Sequence, residues 1–392
     1  MKTRRILTSQ ATPGMIVADD IYTFNNQMII AKGSKLTNRA ITRLKFYSIN
    51  DIRVEVAEEE TGGKEDDFSA EEGNQNSLSK DSSNSKGKKS ASDGMASIDF
   101  QPLGEFVKQT QEYKHFHTEY DNTLLTFEDK IKHFVYNREE PINTHTLLDE
   151  VNAVLKNRRN GMHLFHMLQS MRDYQDETYA HSISVALICN AMGNWLRYSK
   201  GDIETLTLCG LLHDIGKAFI PRDILTKTGD LTGADISILK THPIQGYNAL
   251  KPQAIDVRIK HAVLMHHERC DGSGYPNHLI GPMIDDFAKI VAIADTYDAM
   301  TSPRIYRGSL CPFEVIHLFQ SEGLTKYDPF FLLTFLKGTA DTFLHREVTL
   351  SNGMEGEIVI INQSDLSRPV VRVGEQYINL FREPAISIVS VR

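Results

Sequence analysis

IETLTLCGLLHDIG, residues 203–216, is apolar almost throughout and ends on an adjacent histidine and aspartate. Leu208, Leu211, Leu212 and Ile215 stand at i, i+3, i+4 and i+7, the spacing of an α-helix that buries a face. The same period recurs on both sides, in THTLLDEVNAVLKN (144–157), HLFHMLQSMRDY (163–174), AHSISVALICNAMGNWLR (180–197), ADISILK (234–240), AIDVRIKHAVLMHH (254–267), FAKIVAIADTYDAM (287–300) and PFEVIHLFQ (312–320). An all-α block is therefore expected over 99–340.

The flanks read differently. Over residues 1–57, GMIVADDIYTFNNQMIIAKGSKL alternates apolar and polar residues around Asn-Asn and Lys-Gly turns, and TNRAITRLKFYSI follows with helical spacing. This predicts a small α/β domain with a regulatory role. Residues 58–98 are dominated by Ser, Gly, Asn, Lys, Glu and Asp, too few of them apolar to offset the entropy of ordering, so a flexible linker is expected. After 341 the segments EVTLSNGMEGEIVIINQ, PVVRV, YINLF and ISIVSVR, parted by Asn-Gly, Gly and Pro turns, predict a small β-rich domain over 341–392. The fold class expected is mainly α, a helical core with small β-containing domains at both termini.

Composition narrows the function. At 392 residues, 41% hydrophobic and 24% charged, the chain has globular composition. The formal net charge of -8 has the wrong sign for general nucleic-acid binding, though a metal ion or a few arginines can still set a local field for a small anion. No apolar run reaches membrane-spanning length, and the basic start MKTRRILTSQATPG lacks the apolar core of a signal peptide, so the cytoplasm is expected. Cys189, Cys209, Cys270 and Cys311 are scattered without CxxC spacing, as reduced thiols in a reducing compartment would be.

The helical block concentrates its chemistry in a few residues. Glu177 and His181 stand at i, i+4; His213 and Asp214 end the quoted helix; His242 lies in KTHPIQG, His266 and His267 are adjacent, and Asp295 interrupts IVAIADTYDAM. Each alone has an ordinary explanation as a hydrogen-bonded core residue or a helix cap. Together, five imidazoles and three carboxylates in apolar helices would each cost several kcal/mol without partners, so they must satisfy one another or bind something that does. Imidazole and carboxylate without cysteine suit iron, manganese, zinc or nickel and argue against a structural zinc site. A histidine beside a carboxylate can serve two ions at once, and paired metals are a common device for hydrolysing phosphate esters.

HDIGK (213–217) followed by Ile220-Pro221, HHERCDGSGYP (266–276) and ADTYDAMTSPRIYR (294–307) resemble, in order and spacing, the signature blocks of the HD-GYP family, a branch of the HD-domain metal-dependent phosphohydrolases. The resemblance spans roughly residues 160–340 and implies an HD-type helical bundle that hydrolyses the bacterial second messenger cyclic di-GMP. Carried onto this sequence, it makes His181, His213, Asp214, His242, His266, His267 and Asp295 metal ligands, with Asp214 bridging. Glu177 falls where some members hold a third metal. His213, Asp214 and Lys217 would carry catalysis, Lys217 contacting the scissile phosphate. Arg304 and Arg307 would hold the ligand's phosphates and guanine edges.

Asp298, one turn after Asp295, is expected to orient a ligand from behind. Asp271, Gly272, Gly274, Tyr275 and Pro276 form a loop expected to shape the pocket or meet a partner. Glu268 suggests a general base beside two histidines, but the resemblance gives the ligand roles to its neighbours and leaves it a supporting part. The expected cofactors are two or three divalent ions, iron or manganese, and the expected product is pGpG, with a second cut to GMP. The alternative is a non-hydrolytic receptor that signals by contact with a protein partner such as a diguanylate cyclase.

Overall fold

A computed structural model describes residues 2–22, 28–37, 51–56, 111–137, 139–156, 177–227, 230–302 and 309–391, with isolated positions at 40, 41, 44, 49, 164, 165 and 168. The expected linker at 58–98 lies outside the described residues, as do most of the helices expected at 37–49 and 163–174.

At the N-terminus, β1 (Lys2–Leu7) pairs antiparallel with β4 (Asp51–Val56), and the short β2 (Ile21–Tyr22) with β3 (Met28–Ile30). Alternate residues of β4, Ile52 and Val54, are buried, as the two-residue period of a strand requires. They join Ile6, Val17, Ile21, Ile30, Leu36, Ile41 and Leu44 in a core of their own.

The helical body follows as α1 (Gln111–Tyr136), α2 (Thr144–Leu155), α3 (Glu177–Trp195), α4 (Lys200–Leu212), α5 (Arg222–Leu225), α6 (Gly233–Leu239), α7 (His242–Leu250), α8 (Val257–Met265), α9 (Asp286–Thr301), α10 (Pro312–Leu318) and α11 (Pro329–Thr342). Burial explains their arrangement. On α1 a single stripe is buried, Tyr113, Phe116, Tyr120, Phe127, Ile131 and Phe134, so this helix lies on the outside. The Tyr120 hydroxyl donates to the Ala180 carbonyl at 2.8 Å and ties α1 to α3. Every residue of α4 from Leu206 to Leu212 is buried, so neighbours cover it on all sides. Each large apolar side chain so buried is worth about 1.5–3 kcal/mol. Ser199 caps the start of α4, its hydroxyl accepting from the Asp202 N–H, and the helix runs inward to deliver His213 to the middle of the body.

The C-terminal segment forms a five-stranded antiparallel sheet in the order β8-β7-β6-β5-β9, from β5 (Glu347–Leu350), β6 (Glu355–Ile360), β7 (Val370–Val373), β8 (Gln376–Asn379) and β9 (Ile388–Val391). Gly353, at φ +84°, makes the expected Asn-Gly turn between β5 and β6. The inner face, Val348, Leu350, Ile358, Val371, Leu380 and Ile388, is buried in the same core as the helices, so the sheet extends the helical body. Among the described residues no helix is long and apolar enough to cross a membrane.

Candidate metal centre

Three histidines stand at the ends of helices, and each returns a hydrogen bond to the helix it leaves. His213 follows α4 and its Nδ1 lies 2.7 Å from the Gly210 carbonyl; His242 follows α6 by three residues and its Nδ1 lies 2.7 Å from the Leu239 carbonyl. His266 follows α8 with Nδ1 3.0 Å from the Val263 carbonyl and 3.1 Å from that of Ala262. The last carbonyls of a helix lack an intrahelical donor, and the imidazole supplies one. A carbonyl can only accept, so Nδ1 carries the proton in all three rings. Nε2 is left with its lone pair directed away from the helix, the form in which histidine binds a metal.

These lone pairs converge on Asp214. Its Oδ1 lies 3.2 Å from His242 Nε2 and 3.7 Å from His266 Nε2, while its Oδ2 lies 3.3 Å from His213 Nε2 and 3.9 Å from His181 Nε2. One carboxylate thus stands between two sets of donors that could hold a metal ion, with His242, His266 and His267 beside it on one side and His181, His213 and Asp295 on the other. His242 Nε2 and His266 Nε2 are only 3.2 Å apart, two acceptors facing each other. Among the described residues, the buried Asp214 Oδ1 and His213 Nε2 have no hydrogen-bond partner. Unpaired buried acceptors at this density are costly, and a cation between them removes the cost, so the donor set fits divalent metal.

In the second group His213 is held by the Gly210 carbonyl, whereas His181 is oriented by side chains. His181, in α3, has Nδ1 2.7 Å from Asp298 Oδ2 and Nε2 3.0 Å from Asp295 Oδ1, both acids lying one turn apart on α9. Burial alone would lower the His181 pKa, but the hydrogen bonds to Asp295 and Asp298 outweigh it and raise it to about 9. In the first group burial dominates: it lowers His266 to about 4 and, helped by the neighbouring imidazoles, holds His267 well below the usual histidine value. Burial would also raise the two acids, yet the charge of Lys217 keeps Asp214, and the hydrogen bond from His181 keeps Asp295, well below the carboxylate range. Metal ligation needs neutral imidazoles and ionised carboxylates, so an ion bound at His181 would have to displace its proton.

Close backbone packing brings the halves together. Asp214 opens the 3-10 turn Ile215–Phe219, which crosses α7 so tightly that a Cβ on Gly216 would lie 1.9 Å from the His242 carbonyl oxygen. Only glycine fits there. Lys217 reaches back from this turn and pairs with Asp214 Oδ2, placing an ammonium at the edge of the cluster.

The loop after α8 closes over the first group. Glu268, 2% exposed, accepts from the Asn277 N–H at 2.7 Å and the Leu279 N–H at 2.9 Å, one with each oxygen. Asp271 Oδ1 accepts from the N–H and hydroxyl of Ser273, and a Cβ on Gly274 would lie 2.4 Å from Glu268 Cα. Gly272 takes φ +78°, and the Tyr275–Pro276 peptide is cis. The Tyr275 ring stacks on His267 with centroids 4.6 Å apart and planes at 23°.

Of the residues singled out from the sequence, His181, His213, Asp214, His242, His266, His267 and Asp295 are brought together. Glu177 begins α3 but its side chain lies outside the described residues, as do Arg304 and Arg307. Sequence reasoning missed Arg269, whose Nη1 donates to the carbonyls of His266 at 3.0 Å and Glu268 at 2.8 Å, locking the turn that separates the two histidines from the loop. An arginine next to a run of ligands gives no signal of that role, because it acts on backbone.

Residues 156–330 match the HD domain family. A curated cyclic di-GMP phosphodiesterase of Pseudomonas aeruginosa is 31% identical over 58% of this chain and 54% of its own length. A 3′3′-cGAMP-specific phosphodiesterase of Vibrio cholerae is 37% identical over 37% of this chain and 34% of its own. The chain thus spans about half or less of the length of these relatives. A solved HDGYP protein of Bdellovibrio bacteriovorus aligns with TM-score 0.46 and 16% identity over 85% of this chain and 98% of its own, a likeness too distant to bear on fold or site. Residues 156–330 thus carry the HD-domain match, and the histidine and aspartate cluster lies within them.

Proposed function

We propose that the chain is a cytoplasmic phosphodiesterase that hydrolyses cyclic di-GMP to linear pGpG and then to GMP, using two or three divalent ions, iron or manganese. The observation that carries this reading is Asp214, whose two oxygens face separate groups of imidazoles at 3.2 Å and 3.3 Å. Bound there, divalent ions supply Lewis-acid stabilisation of phosphate charge and a water acidic enough to act as nucleophile at neutral pH.

The chain's own residues would do the rest. His242, His266 and His267 would hold one ion and His181, His213 and Asp295 the other, with Asp214 available to both. Glu177 is the candidate ligand for a third. Lys217, already paired with Asp214, offers its ammonium to the scissile phosphate. Asp298 orients His181, and Arg304 and Arg307 hold the outer phosphates and guanine edges. The deep burial of His213, His242, His266 and Asp214 keeps bulk water from screening these charges.

A cleavage assay on purified protein that resolves pGpG from GMP, run with metal analysis, tests this. Combined His213→Ala and Asp214→Ala substitution should abolish turnover; undiminished turnover sinks the mechanism. Binding of cyclic di-GMP at fixed stoichiometry without pGpG would point instead to a receptor acting through a protein partner such as a diguanylate cyclase. The likeness to a 3′3′-cGAMP-specific relative favours a second substrate, so 3′3′-cGAMP belongs in the same assay. Faster cleavage of it would change the substrate and leave the chemistry.

A further inference from the structure

His267 differs from three of the neighbouring histidines. His213, His242 and His266 are each held by an Nδ1 hydrogen bond to a backbone carbonyl. Among the described residues neither ring nitrogen of His267 makes a hydrogen bond, and its nearest charged partner, Asp295 Oδ2, is 3.9 Å from Nδ1. What does contact the imidazole is the Tyr275 ring, nearly parallel to it. We infer that Tyr275 is a positioning residue: its ring face sets the orientation of His267, doing for this ligand what a carbonyl does for the others. The inference rests on the metal-binding reading of the site.

The loop is built to hold that ring still. The Tyr275 N–H donates to the His267 carbonyl at 3.2 Å, so ring and backbone both return to the same residue. Gly274 lies against the backbone of His267, Glu268 and Arg269, with no room for a Cβ. Beyond Pro276 both oxygens of the buried Glu268 are engaged by loop amides, and the Cys270 and Gly281 backbones close the loop base, Gly281 N–H to Cys270 carbonyl at 3.0 Å. Lys240 Nζ sits over the tyrosine ring 5.2 Å from the centroid, where the negative π face attracts it. Two aromatic faces packed this way favour one mutual orientation. Glu268 is the anchor of the device, acting through the loop.

The test uses the full chain and Mn²⁺ titrated into chelator-treated protein, comparing wild type, Tyr275→Phe and Tyr275→Leu. Phe keeps the ring face and Leu keeps apolar bulk without it. The expected result is wild-type Mn²⁺ affinity for Tyr275→Phe and about tenfold weaker binding for Tyr275→Leu, the usual scale for loss of a ligand's supporting partner. The melting temperature of the metal-free protein should be unchanged in both. Equal affinity in Tyr275→Leu and wild type overturns the inference, as does an equal loss in Tyr275→Phe, which would assign the effect to the hydroxyl. Should Tyr275→Leu not fold, Glu268→Gln carries the test by loosening the anchor: weakened Mn²⁺ binding supports the inference and unchanged binding overturns it. A wild-type protein that takes up no Mn²⁺ would instead defeat the metal-binding reading itself.

Discussion

The two halves of the metal centre are organised by different means. In the half built from His242 and His266 the imidazoles are aimed by backbone carbonyls at helix ends, and burial keeps His266 neutral down to about pH 4. In the other, His213 also borrows a helix-end carbonyl, but His181 is aimed by carboxylates, Asp298 at 2.7 Å and Asp295 at 3.0 Å. A carbonyl is present whatever the side chain, so the first half is secured by where the helices stop. The second depends in addition on two acids that single substitutions remove. Asp214 belongs to both, and a common body holds them, because α3, α4 and α9 bury their apolar surfaces in one core.

Substitutions can break this contrast, and the largest effect should come from the shared residue. Asp214→Ala takes a ligand from both halves; metal analysis should show both losing occupancy, and turnover should fall by about a thousandfold or more, the equivalent of several kcal/mol of lost charge stabilisation. Retention of one full equivalent of metal would show that the halves are independent. Gly216→Ala should come next and strike first at the carbonyl-aimed half, since the added methyl lands 1.9 Å from the His242 oxygen. The backbone must move, and denaturant unfolding should show a loss near the top of the overpacking range, about 3 kcal/mol.

Asp298→Ala should spare the carbonyl-aimed half and weaken metal binding about 10- to 100-fold in the other, read as loss of one step in a two-site titration. A loss from both steps would erase the distinction between the halves. The smallest effect belongs to Asp298→Asn, which keeps an oxygen able to accept from His181 Nδ1 but gives up the charge. Its loss should stay under about tenfold in the same titration.

The residues of the centre were legible because each sits where its surroundings make it costly. His213 ends a helix otherwise apolar, and Asp295 interrupts another. Their pairing was not legible: His181 and Asp298 are 117 residues apart, and no local pattern says which carboxylate meets which imidazole. The work of Glu268 was legible only in part: the ligand roles of its neighbours left it a supporting part in place of a general base, but did not show that both its oxygens are occupied by the amides of Asn277 and Leu279. The terminal β segments show the same limit. Both alternate in the same way, yet the N-terminal strands close a core of their own while the C-terminal sheet buries Val348, Ile358 and Val371 among the helices.

By itself the sequence determined the helical body, the strands at its flanks, the set of imidazoles and carboxylates and the glycine-rich loop, because these follow from the period of apolar residues and from the cost of isolating polar ones in apolar segments. Tertiary structure alone decided that Asp214 would turn one oxygen to each group, that three histidines would borrow helix-end carbonyls, and that a tyrosine would lie flat on the fourth. Those outcomes depend on distances across helices far apart in the chain, which close packing of the shared core sets and no local pattern encodes.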